Sequence, residues 1–299
     1  MQKQNTDENA RKAQMELQEH EIKERLHNIK NKILVMSGKG GVGKSSVAAH
    51  LAVGLARKGH RVGLMDVDLH GPSIPRMLGL EGSLRPSMQG NKMLPVQYLP
   101  NMEVMSIEVL LDDKDAATIW RGPLKGGVIK QFISDIEWMN LDYMVIDSPP
   151  GTGDEPLTVA QTISDAKALI VTTPQEVSLA DVRKSINFCR QVNMEILGLI
   201  ENMSGLLCPH CGKEINLFNK RGGELTAEKE GLNLLGTLPI EPEVVQSGDA
   251  GTMSVFQNEK LPFTQAFDNI VREIERLTGA EARKLSDSEG LKKQEQIAV

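Results

Sequence analysis

SGKGGVGKSS, residues 37–46, decides the fold. It follows the apolar run KILVMS and leads into SSVAAHLAVGLARKGH, where Val47, Leu51 and Leu55 recur every fourth residue with Ala48 and Ala52 beside them. That spacing predicts a helix, closed by Gly59. Gly38 to Ser45 satisfies G-x-x-x-x-G-K-[ST] in the strand–loop–helix setting that a phosphate-binding loop requires. Gly38, Gly40, Gly41 and Gly43 let the backbone N–H groups of the loop, Val42 included, converge on phosphate oxygens without obstruction by Cβ atoms. The helix N-terminus adds its dipole. Lys44 is expected to reach the β- and γ-phosphates of a nucleotide and the Ser45 hydroxyl to ligate Mg²⁺, with Ser46 completing the set. Lys39 is a second lysine that the motif does not demand. It is either an ordinary exposed side chain or a cation free to reach a nucleotide on a facing subunit.

Outward from the loop, short apolar runs repeat: RVGLMD (61–66), DYMVID (142–147), KALIVTT (167–173), EILGLIEN (195–202) and NLLGTLP (233–239). They are apolar throughout rather than alternating, the pattern of strands covered on both faces. Helical periodicity lies between them, notably in SLADVRKSINFCRQV (178–192). A last helix carries Phe263, Phe267, Ile270, Ile274 and Leu277 and stops at Gly279. The fold expected is α/β, a doubly wound and mostly parallel sheet of the P-loop NTPase kind, over residues 31–279. Residues 1–30 read as a charged leader helix, solvated or loosely docked, with a thin stripe of Met15, Ile22, Leu26 and Ile29. Residues 70–118, rich in Pro, Gly and Met, read as short strands and a mobile loop. Residues 280–299 read as a polar tail.

Two further stretches place carboxylates where open α/β sheets bind ligands. YMVIDSPPGTGDE puts Asp147 at the end of a strand, the Walker-B position that supports Mg²⁺, followed by a Pro/Gly loop at 149–153 suited to responding to a γ-phosphate. LMDVDLHGPS puts Asp66 and Asp68 after the second strand, one to orient or deprotonate water and the other to assist the metal.

The net charge of −6 with no basic run argues against a nucleic-acid partner. No apolar stretch reaches the roughly 20 residues that span a bilayer, so no membrane partner is expected. Three cysteines make no disulfide framework, and a reducing, cytoplasmic setting follows. Two of them form CPHCG (208–212), and Cys189 reads as a buried small hydrophobe. His210 reads as solvent-facing. Cys208 and Cys211 are half of a four-thiolate site. A two-fold homodimer would supply the other half, for an iron–sulfur cluster or for tetrahedral zinc.

GKGGVGKS, DVDLHGPSIPRMLG, WRGP (120–123), DYMVIDSPPGTGDE, ENMSG (201–205) and CPHCG fall in the order seen in Mrp/ApbC-type iron–sulfur cluster carrier ATPases, and residues 31–278 resemble that family. It belongs to the deviant-Walker class with MinD, ParA and the nitrogenase iron protein. The resemblance implies an ATP-hydrolysing homodimer whose nucleotides face each other, with Lys39 reaching across and Asn202 reading the adenine. It also implies a cluster, 4Fe–4S in type, bridging the subunits on Cys208 and Cys211 and passed to apo-proteins. Ahead of the loop this chain carries only the charged leader, without the small extra domain of many bacterial relatives or the N-terminal cysteine cluster of some eukaryotic ones. A positioning ATPase of the MinD or ParA type is the alternative; it would need a membrane-inserting tail or a basic surface. A small-molecule kinase or ligase would leave CPHCG unexplained.

Overall fold

The computed structural model describes residues 16 and 18–279, apart from 69–70, 81–86, 90–91, 111–121, 209–210, 212, 216 and 218–220. Met15, His210 and the 280–299 tail lie outside the described residues. A helix over 18–27 (α1) leads into β1 (Ile29–Ser37), α2 (Lys44–Arg57), β2 (Val62–Asp66) and the short α3 (Ile74–Met77). Four short strands follow, β3 (Ser87–Gln89), β4 (Lys92–Leu94), β5 (Val96–Leu99) and β6 (Met102–Ser106). Then come α4 (Gly122–Asp135), β7 (Leu141–Asp147), α5 (Asp154–Thr162), β8 (Lys167–Thr172), α6 (Glu176–Gln191) and β9 (Ile196–Glu201). The chain continues through β10 (Leu206–Leu207), β11 (Glu214–Ile215), α7 (Gly222–Glu230), β12 (Leu234–Thr237), α8 (Pro242–Asp249) and α9 (Pro262–Thr278).

Eight strands form one sheet in the order β12-β9-β8-β1-β7-β2-β6-β5. Every pairing in it is parallel except β5 with β6. The apolar runs bury both faces, because successive side chains point opposite ways along a strand. In β1, Ile33 and Val35 join the core layer of α2 and α9, while Leu34 and Met36 join the layer of α4, α5 and α6. β7 divides likewise, with Tyr143 and Val145 on one side and Met144 and Ile146 on the other. The chain is thus doubly wound, as the runs imply. Cys189 is fully buried against Met36, its Sγ 3.8 Å from the thioether sulfur, and burial pushes its thiol up to about 12.

The short strands expected in 70–118 are present and join the main sheet, and the leader departs from the expectation of a solvated or loosely docked helix. The region 70–118 supplies β6 and β5, which extend the sheet beyond β2. The leader packs firmly through α1: Ile22 and Leu26 are buried in the second core layer, while Ile29 belongs to β1. Arg25 donates to the carbonyl of Ile136 and to Glu137, and Lys92 pairs with Glu21 at 2.9 Å.

Candidate functional site

The loop between β1 and α2 lies at the carboxyl edge of the sheet. Gly41 and Gly43 hold φ of 78° and 79°, left-handed values that favour glycine. Gly43 ends the loop, and no side chain caps the first turn of α2. Its amides therefore remain directed at the loop's concavity. Gly38 packs on the backbone of Asp181 in α6, Gly40 and Gly41 are exposed, and Val42 is buried. Lys39 is half-buried and donates to Gln175 Oε1 at 3.3 Å, just ahead of α6. Ser46 lies within the first turn of α2 beside a cavity of about 300 Å³.

Sheet register brings the acids together. Asp147 on β7 is opposite Asp66 on β2, and Asp66 is opposite Ser106 on β6. Lys44 Nζ donates to Asp147 Oδ1 at 2.5 Å and to Ser45 Oγ at 3.2 Å. Burial raises Asp147, opposed by the Lys44 ammonium and by a hydrogen bond with Ser45. Its other oxygen, Oδ2, is buried with no hydrogen-bond partner. Burial raises Asp66 further, well above the carboxylate range, and the neighbouring Asp147 adds to the push. Both Asp66 oxygens are engaged, one by the Asp68 amide at 3.1 Å and one by the Ser106 hydroxyl at 3.2 Å. Asp68 is buried beside them. The cluster thus sets three acids and one lysine at the loop's mouth, with Asp147 Oδ2 left without a hydrogen bond.

Beyond β9, Asn202 donates from Nδ2 to the Val42 carbonyl at 2.9 Å, and its own amide donates to Thr172 at 2.8 Å. It lines the cavity with Gly43, Ser46, His50, Met203 and Glu241. Four residues after Asn202 the chain forms the β10–β11 hairpin. Cys208 follows β10, half-buried, its amide donating to the Lys213 carbonyl at 2.9 Å; Cys211 is exposed at the turn. Among the described residues no group of three or more His, Cys, Asp and Glu side chains is arranged to hold a metal ion. The two thiols therefore stand at a surface, apart from the acidic cluster.

Residues 28–275 match the family described as NUBPL iron-transfer P-loop NTPase. The chain belongs to that family. Within this iron-transfer P-loop NTPase group it is 50% identical over 232 residues to the cytosolic Fe-S cluster assembly factor CFD1 of Eremothecium gossypii, covering 75% of this chain and 82% of that protein. It is 45% identical over 258 residues to the iron-sulfur cluster carrier protein of Methanocaldococcus jannaschii, covering 86% and 88%. Among solved structures it is similar to a nucleotide-binding protein from Archaeoglobus fulgidus in complex with ADP, at 39% identity and a TM-score of 0.72 over 83% of this chain and 96% of that one. The cell-division ATPase MinD of Pyrococcus furiosus, 24% identical with a TM-score of 0.59 over 83% and 99%, shares the fold. No helix among the described residues is long and apolar enough to cross a membrane.

Three participants escape a reading of motifs. Ser106 holds Asp66 from one of the short strands of 70–118, a stretch that carries no motif of its own. Gln175 receives Lys39. Glu201, buried to 1% exposure, accepts from the Gly223 amide and from the Ser204 hydroxyl at 2.6 Å. A strand-terminal acid gives no local signal of such a role, since its partner lies beyond the cysteine hairpin.

Proposed function

We propose that this chain binds ATP and Mg²⁺ at residues 38–46, hydrolyses the nucleotide, and carries an iron–sulfur cluster of the 4Fe–4S type that it delivers to apo-proteins in the cytosol. The observation that carries the reading is the hairpin, two accessible thiols in a chain built around a phosphate loop. Two thiolates do not complete a cluster, and a second copy related by a two-fold axis supplies two more. The names borne by relatives at 50% and 45% identity favour cluster carriage over a positioning switch.

Ser45 and Asp147 would hold the Mg²⁺; the unpaired Asp147 Oδ2 and the adjoining Ser45 hydroxyl suit an oxygen-seeking cation. The ion supplies charge neutralisation at the phosphates. Lys44, now shared with Asp147, would turn part of its charge to the β- and γ-phosphates. Asp66 and Asp68 would share the remaining roles, one orienting water and the other assisting the metal; both Asp66 oxygens are held in place, by the Asp68 amide and the Ser106 hydroxyl. Lys39 would meet the nucleotide of the facing copy, and Asn202 the base. Catalysis of this kind rests on positioning and charge, with no covalent intermediate on the protein.

Anaerobic reconstitution with iron and sulfide tests the reading. The expected result is a visible iron–sulfur chromophore that Cys208→Ala and Cys211→Ala each abolish, with ATP hydrolysis abolished by Lys44→Ala. A colourless wild-type protein, or a Cys208→Ala variant with the full chromophore, refutes cluster carriage.

A further inference from the structure

Asn202 holds the phosphate loop, and the residue before it holds the helix that follows the thiol hairpin. Nδ2 of Asn202 donates to the Val42 carbonyl, and a Cβ on Gly43 would overlap that same nitrogen. There is no slack between strap and loop, so a displacement of residues 42–43 is transmitted to Asn202. On the other side, Glu201 accepts from the Gly223 amide in the first turn of α7, where the helix dipole favours a carboxylate. A Cβ on Gly223 would press against the same carboxylate at 2.8 Å.

The segment between these anchors is short and bent. Met203 has φ 58° and Gly205 φ 83°, so the strap turns through two left-handed residues before β10. For Met203 this conformation is strained and persists because its neighbours are pinned. Ser204 donates from its amide to Leu238 and from its hydroxyl to Glu201, and Ile240 donates to Gly205. A parallel bridge joins Leu206 to Ile240. From Leu207 the chain passes directly to Cys208.

We propose that Glu201 and Asn202 are positioning residues that couple the occupancy of the phosphate loop to the placement of the Cys208–Cys211 hairpin. The coupling rests on the nucleotide reading above. Binding phosphate reorients loop amides, the Val42 carbonyl moves with them, and Asn202 follows. The Glu201 carboxylate, one peptide away, carries the movement to α7 and Ser204, between which the hairpin is suspended. The left-handed pair at Met203 and Gly205 is where the strap flexes.

Amide hydrogen exchange on the full chain, with and without MgATP, reads this without needing a cluster. The wild type is expected to change protection at residues 38–47 and also at 204–215 and 222–226. Glu201→Gln should keep the first change and reduce the second by about threefold or more, a modest coupling on the usual scale. The neutral amide has one acceptor oxygen, so the charge-assisted pair of bonds from Gly223 and Ser204 is weakened, with the Ser204 hydroxyl turned from donor to acceptor. Should Glu201→Gln misfold, Ser204→Ala removes one arm alone and should shrink the same response. A wild type whose loop responds while its hairpin does not overturns the coupling and leaves the nucleotide reading intact. So does a Glu201→Gln hairpin response equal to wild type. No response at 38–47 removes the nucleotide reading and the coupling together.

Discussion

Gly43 has a φ of 79° and the Asn202 amide where a Cβ would stand. Gly43→Ala combines a left-handed penalty with a collision, and we expect it to cost about 1–3 kcal/mol of stability. It should also weaken nucleotide binding more than tenfold, read by denaturant titration and by displacement of a fluorescent nucleotide. His50, one turn into α2 from Ser46, presents a different kind of pressure. Its Nδ1–H donates to the Ser46 carbonyl at 2.7 Å, and the rings of Phe256, Phe263 and Phe267 surround it. Burial lowers its pKa from 6.5 to about 4. The folded protein therefore refuses a proton that the unfolded chain accepts, and stability falls as pH drops through 6.5 towards 4, levelling off below. The loss is on the order of 3 kcal/mol. His50→Phe should remove this part of the acid destabilisation, measured as the difference in unfolding free energy between neutral and mildly acidic buffer.

The elements show which parts of the fold the chain announces. The central stretches of β1 (33–36), β7 (143–146) and β8 (168–171) are apolar at every position because both faces are covered, and α9 places its aromatic and branched residues three and four apart because only one face is. Phe267 is fully buried at that seam, edge-on to Phe256 with ring centroids 6.1 Å apart. Phe267→Ala should cost about 3–5 kcal/mol, the range for emptying a packed aromatic site, and lower the thermal midpoint accordingly. β5 and β6 were not legible as members of the main sheet. They are short, and β5 is half-exposed, so neither periodicity develops over enough residues to declare itself. The phosphate loop and Asp147 were legible, since each motif is contiguous and sits at a strand end. The clasp of Glu201 on Gly223 was not, because spatial neighbours 22 residues apart leave no spacing rule behind. Nor was the docking of α1, whose two buried residues are too few to separate a packed helix from a solvated one.

At the scale of the molecule, the thiols lie outside the acidic cluster, and the described residues around them supply no third ligand. A bridging 4Fe–4S cluster then predicts about two iron atoms per chain, and a mass in native conditions of two chains with one cluster. Iron analysis beside native mass spectrometry checks both numbers, and a fully loaded protein running as one chain with about four irons would exclude sharing. The sheet bears on how two copies can meet. Its margins, β12 and β5, are four residues each, both joined to their neighbours through an irregular register, and β5 runs against the grain of the rest. Stubby, kinked borders give a second chain almost no ladder to zip onto, which is how many proteins avoid edge-to-edge aggregation. Self-association by strand addition is thereby discouraged on both flanks. The paired copies proposed above would therefore have to meet elsewhere than along these margins.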